Sequence, residues 1–431
     1  MHVEKLMLRN YRCYENLKID FEKRLTVIVG ENGRGKTAIF DALAVSFSPY
    51  LQQLGASGRG INSGDVRKIP RYNADSKHIE GMEMQYPVEI CADMRTALGK
   101  EMRVSKIYNE QGEEKTAAEG IVGYGRDLLQ SLHEGREVLL PLLSYYGTAR
   151  IWVDSSLLKD TEYSLQDRLH GYNECLEPSS SYHTFGEWFK HITQLAEHGG
   201  KYEELKRAVG SAIEACLKST GLHDLRYDLK LDCFVITHPE MGELVVDYMS
   251  DGFRSIISMV ADIAYRIVRL NPYLGERAML KTPGIIMIDE VEMHLHPLWQ
   301  QRVMLDIMDA FPEIQFIVTT HSAQLLSSVP ADAIRVLRWN RDFEGIGRVE
   351  FSLGAKSYQL LQDIQNVDPR PEVPITKELH RYLELVGEDR WDSEEALQLR
   401  KKLDEWSQGH EPDLLKADMD IRLRRFRRQQ Q

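Results

Sequence analysis

Residues 30–37 of this 431-residue chain read Gly-Glu-Asn-Gly-Arg-Gly-Lys-Thr. The run fits the spacing G-x-x-x-x-G-K-[ST]. It lies between an apolar stretch, Arg24 to Val29, and a helix-like one, Ala38 to Val45, the setting that gives such a spacing meaning. Gly30, Gly33 and Gly35 let the backbone curl until its N–H groups converge on phosphate oxygens. Glu31, Asn32 and Arg34 complete the cradle, and the N-terminus of the following helix adds partial positive charge. Lys36 offers a point charge to the β- and γ-phosphates of ATP, and the Thr37 hydroxyl is a ligand for Mg²⁺. The alternative, an unrelated glycine-rich turn, ignores the strand before the run and the helix after it.

Residues 284–290, Gly-Ile-Ile-Met-Ile-Asp-Glu, read as a buried parallel strand ending in two carboxylates. Asp289 is expected to hold Mg²⁺ through its water shell, and Glu290 to polarise the attacking water as general base. A plain helix cap is the other use of such a pair. His294 and His296 form an H-x-H pair that can ligate metal, but no arrangement such as H-E-x-x-H supports it, so packing or a subunit contact is expected. His321 ends the strand-like Gln315 to Thr319 and is placed to contact the γ-phosphate. Residues 249–254, Met-Ser-Asp-Gly-Phe-Arg, precede a helix and resemble the ABC signature. In ABC ATPases, Ser250 and the Gly252 backbone would meet ATP held by another subunit. One phosphate loop and one signature then require a second copy related by two-fold symmetry. A simple N-cap by Ser250 or Asp251 is the competing account.

The motifs divide the chain. Residues 1–150 are read as the N-terminal ATPase part, 151–248 as a mostly helical insertion, 249–353 as the C-terminal ATPase part, and 354–431 as a helical region for oligomer or partner contact. Leu51 to Gly81 reads as a long polar loop, and Met82 to Met94 as one strand. The expected class is α/β: an ABC-type nucleotide-binding fold with a mixed sheet and an antiparallel lobe. No apolar run nears the ~20 residues of a membrane span. Met1 to Lys5 shows no signal-peptide pattern, so the cytosol is expected. The five cysteines have no C-x-x-C spacing, and free thiols are expected. A net charge of −12 counts against a protein that grips DNA over its whole surface, though not against a local basic groove. Residues 421–428, Ile-Arg-Leu-Arg-Arg-Phe-Arg-Arg, form a basic patch on this acidic chain. They read either as a solvated helix end, as a docking arm for an acidic partner, or as a nucleic-acid contact.

Together, "LRNYRCYENL", "GENGRGKT", "LSYYGTAR", "MSDGFRS", "IMIDEVEMHLHP" and "VTTHSAQLL" resemble the ABC/SMC-like ATPases of the overcoming-lysogenisation-defect group. The later "GAKSYQLLQDI" is similar to its Septu and retron-associated anti-phage subset. The resemblance implies an ATPase working as a homodimer or higher oligomer, with Arg12 beside the nucleotide. It also implies a partner nuclease, expected to be of HNH type, because the acids after residue 380 alternate with arginine like a solvated face rather than a nuclease cluster. Nucleic acid would then be met through the complex. A DNA-clamping repair ATPase and a nucleotide-bound scaffold are the alternatives. The glutamine usual between phosphate loop and signature is missing from Tyr145-Tyr146-Gly147-Thr148-Ala149-Arg150.

Overall fold

The computed structural model describes residues 1–72, 78–148, 168–178, 182–196, 201–340 and 343–430. A six-stranded sheet forms the centre. Its order is Phe343–Gly347, Ile334–Asn340, Leu25–Val29, Ile314–Thr320, Gly284–Ile288, Leu142–Tyr146. All neighbours are parallel except the first pair. Every residue of Leu25–Val29, Ile314–Thr320, Gly284–Ile288 and Leu142–Tyr146 is buried. Their largely apolar residues, buried on both sides, fit strands covered on both faces. The helices Lys36–Gln53 and Asp251–Leu270 are themselves buried over most of their length.

A second, antiparallel sheet has the order Tyr14–Asp20, His2–Tyr11, Val88–Arg95, Glu101–Tyr108, Glu114–Ala117. Val88–Arg95 alternates strictly between buried and half-buried residues, the period-two signature of a strand with one face on the core. This is the expected α/β class, a mostly parallel sheet with an antiparallel lobe.

The structure differs from the sequence reading in three places. Residues 51–81 are not one loop: the helix runs on to Gln53, and Lys68–Tyr72 pairs with Ile79–Met84 as a hairpin. Most of its residues are exposed, so no burial period marked it. The strand expected over Met82–Met94 is two strands, divided at Pro87, which has no N–H to give a ladder. In the insertion the sequence reads strands over Leu225–Thr237 and Leu244–Tyr248; after the helices Tyr182–Ala196 and Lys201–Cys216 the first of these is two strands, His223–Asp228 and Cys233–His238, which form a three-stranded sheet with Gly242–Val245. Residues 149–167, 179–181 and 197–200, with Arg150 and Trp152, lie outside the described residues.

The chain forms two compact units, Met1–Gln365 and Asn366–Gln431. The helix Ser357–Asp363 lies within the first, with Leu360 and Ile364 in its core. The second has the helices Pro374–Gly387, Glu394–Ser407 and Pro412–Gln430 around its own core of Leu379, Tyr382, Leu385, Trp391, Leu403 and Leu414.

Candidate nucleotide site

Three adjoining parallel strands of the central sheet end together: Leu25–Val29 leads into the glycine loop, Gly284–Ile288 into Asp289 and Glu290, and Ile314–Thr320 into His321. Open α/β sheets bind ligands beyond the carboxyl ends of their strands. Gly33 and Gly35 have φ of 79° and 83°, the left-handed region that glycine enters without strain. Gly35 also has no room for a side chain, since a Cβ there would stand 2.4 Å from Cys13 Sγ. The turn between the first two strands thus braces the loop, and the Tyr14 hydroxyl donates to the Arg34 carbonyl at 2.9 Å.

The Lys36 ammonium donates to the carbonyls of Gly30 at 2.8 Å and Glu31 at 3.2 Å, which closes the loop into a ring. Burial lowers its pKa, and the charges of Asp289, Glu290 and Glu292 oppose that shift. Glu31, Asn32 and Gly33 are exposed at the rim, where Glu31 pairs with Arg34 at 2.6 Å.

The Thr37 hydroxyl donates to Asp289 Oδ2 at 2.8 Å. Thr319 donates to the other oxygen of Asp289 at 2.5 Å, and its hydroxyl accepts the Glu290 N–H at 2.8 Å. Asp289 is 4 % exposed, and its two oxygens are held from the helix Lys36–Gln53 and from the neighbouring strand Ile314–Thr320. Glu290 has φ of 47°, an uncommon conformation for a residue with a side chain, which turns the chain sharply at the strand end. His321 donates its N–H to Glu292 Oε1 at 2.5 Å, and its carbonyl accepts from Gln365 Nε2 at 2.8 Å. Its Nε2 and Glu292 Oε2 are buried with no hydrogen-bond partner. Buried polar atoms are rarely left so without a ligand or solvent to meet them.

Ser250 immediately precedes the helix Asp251–Leu270, is exposed, and does not cap it with its side chain. Gly252 is buried against the segment after the carboxylates: a Cβ there would lie 2.2 Å from the His294 carbonyl oxygen. His296 caps the short helix Pro297–Gln300, its Nδ1 accepting from Leu298 N at 3.3 Å.

Arg12 sits in a network of charges. Its guanidinium binds Asp41 at 2.5 Å and Asp65 at 2.9 Å, and Arg59 binds the same two carboxylates at 2.8 and 3.4 Å. Asp41 lies one turn beyond Thr37, so the network borders the loop's helix. Isolated acids and arginines spread over residues 12–65 carry no sequence signal for it. Tyr145, 1 % exposed, occupies the region where the usual glutamine is missing. Its hydroxyl has no hydrogen-bond partner. Burial raises its pKa strongly, helped by the nearby charges of Asp41 and Asp289.

Residues 5–208 match the AAA domain family, and residues 152–327 match a second AAA domain family whose description connects it with type IV toxin–antitoxin systems. The chain is 27 % identical to the retron Ec83 probable ATPase of Escherichia coli, over 98 % of this chain and 87 % of the relative. It is 23 % identical to the Septu protein PtuA of Bacillus thuringiensis, over 85 % of this chain and 84 % of that protein. Among solved structures, the Smc head domain from Pyrococcus furiosus, bound to the C-terminal domain of ScpA, is 14 % identical, with a TM-score of 0.49 over 81 % of this chain and 96 % of that one. The chain is an ATPase, similar to retron ATPases and to Septu PtuA over most of its length.

Proposed function

We propose that the chain binds Mg-ATP between two copies of itself and, through its nucleotide state, regulates a partner effector nuclease in anti-phage defence. The observation that carries this reading is the meeting of Lys36, Thr37, Asp289 and His321 at three adjoining strand ends. The residues fit the ligand: a positive-φ glycine loop for phosphates, a hydroxyl and a carboxylate 2.8 Å apart for the metal, and a buried imidazole nitrogen without a partner. Bound Mg²⁺ would neutralise charge on the β- and γ-phosphates. Among the described residues no group of three or more His, Cys, Asp or Glu forms a metal cage. That accords with Mg²⁺, which is usually held by one or two carboxylates plus substrate phosphates. Glu290 takes the proton of the attacking water, and His321 Nε2 meets the terminal phosphate.

The second copy supplies Ser250 and the Gly252 backbone. Ser250 suits this role because its side chain does not cap its own helix. Arg12, tied to Asp41 and Asp65, borders the nucleotide as part of a rigid wall. The homology to a retron ATPase and a Septu protein supports work in anti-phage defence, in the cytoplasm. An HNH-type nuclease subunit is the partner proposed. In the second unit Glu384 and Glu395 pair with Arg381, and Glu388 with Arg390, so these acids serve the helices' surface.

The test is Glu290→Gln with and without Ser250→Arg, read by light scattering after gel filtration in Mg-ATP. Glu290→Gln should lose turnover by about 10²–10⁴-fold and accumulate as a nucleotide-dependent dimer. Adding Ser250→Arg should return it to monomer with ATP affinity kept. Wild-type turnover in the first variant, or an undiminished dimer in the second, would overturn the reading.

A further inference from the structure

The C-terminal helix Pro412–Gln430 has two apolar faces. Leu414, Ala417 and Ile421 are buried in the core of the second unit. On the opposite side Leu415, Met419, Leu423 and Phe426 are 51, 65, 58 and 59 % exposed. At about 100° per residue these four fall within an arc of about 80° and extend about 16 Å along the axis. Lys416, Arg422 and Arg427, all exposed, flank the stripe, and Asp420 is the acid near it. Arg424 is turned away, to Asp389 and the Gly387 carbonyl.

We propose that this stripe docks an acidic amphipathic helix of a partner protein, a surface beyond the nucleotide site and independent of it. An apolar seam this narrow is the kind one helix presents to another, and cationic flanks select a partner whose flanks carry Glu or Asp. Nucleic acid would use the arginines and leave the four apolar side chains without a role. An anionic membrane is met by a broad apolar face on a helix free to sink, whereas the back of this helix is fixed in a core. A second copy would bring cationic flanks against each other in either direction, since Lys416 and Arg427 stand toward opposite ends of the stripe.

The experiment uses the full chain and a fluorescein-labelled helical peptide with a leucine seam and glutamate flanks. Controls are the same peptide with lysine flanks, vesicles with phosphatidylserine, a DNA duplex, and sedimentation of the chain alone. The glutamate peptide should bind at least about tenfold tighter than the lysine peptide. Leu423→Asp with Phe426→Asp should weaken it at least about tenfold. Arg422→Glu with Arg427→Glu should reverse the preference between the two peptides. All four residues are exposed, and an unchanged thermal transition with unchanged ATP binding verifies each variant's fold. Binding of vesicles or duplex in place of the peptide, self-association lost in the Leu423 and Phe426 variant, or binding of no probe would overturn the proposal.

Discussion

Lys36 works on both sides of the phosphate loop: its stem is buried and its ammonium holds the carbonyls of Gly30 and Glu31. Truncation removes the loop's internal tie and the cation offered to phosphate. Lys36→Ala is expected to weaken ATP binding by about 3 kcal/mol, roughly 100-fold, since hydrogen bonds to charged groups are worth about 1.5–3 kcal/mol each; calorimetric titration reads it directly. Tyr145 poses the opposite case, a hydroxyl buried without a partner. Leaving such a group unsatisfied costs about 1–3 kcal/mol, so Tyr145→Phe should raise the unfolding free energy by about 1 kcal/mol in a denaturant titration. A gain in stability together with slower turnover would mark the hydroxyl as retained for the reaction.

Arginine–carboxylate pairs tie the second unit together: Arg370, ahead of its helices, binds Glu411 and Asp413, and Arg400 binds Asp418 on the last helix and Asp404 on its own. Hydrogen bonds from Arg370 hold Glu411 below the usual carboxylate range, and those from Arg400 do the same for Asp418. Carboxylates with depressed folded pKa values add stability that is whole above their unfolded values and is lost as pH falls through their folded ones. The second unit should therefore keep its stability down to about pH 4.5 and lose it progressively below. Hydrogen exchange across residues 374–426 at several pH values reads this, and Arg370→Met with Arg400→Met should flatten the dependence. The elements that the sequence shows most clearly are those where one physical demand acts alone. Gly284–Ile288 must be apolar throughout because both faces are covered, and the glycine loop must combine turn, lysine and threonine at one spacing. The paired strands Lys68–Tyr72 and Ile79–Met84 are held by their backbone ladder with little burial, so their sequence carries no strand pattern and reads as loop. The network of Arg12, Asp41, Arg59 and Asp65 exists only after folding brings four separate charges together.

Across the whole molecule, the first unit contains every residue of the candidate nucleotide site, and the second has a separate core and an exposed apolar stripe. The first unit extends to Gln365, with Leu360 and Ile364 buried in its core. Gln365 is also the residue whose side chain holds the His321 carbonyl at 2.8 Å. The chain crosses to the second unit at the very next peptide bond. A load drawn along that crossing is therefore borne first by an amide–carbonyl bond anchored on the histidine strand end. The same bond also reads in the other direction: a movement of the histidine strand end reaches the last residue of the first unit through a single amide–carbonyl contact.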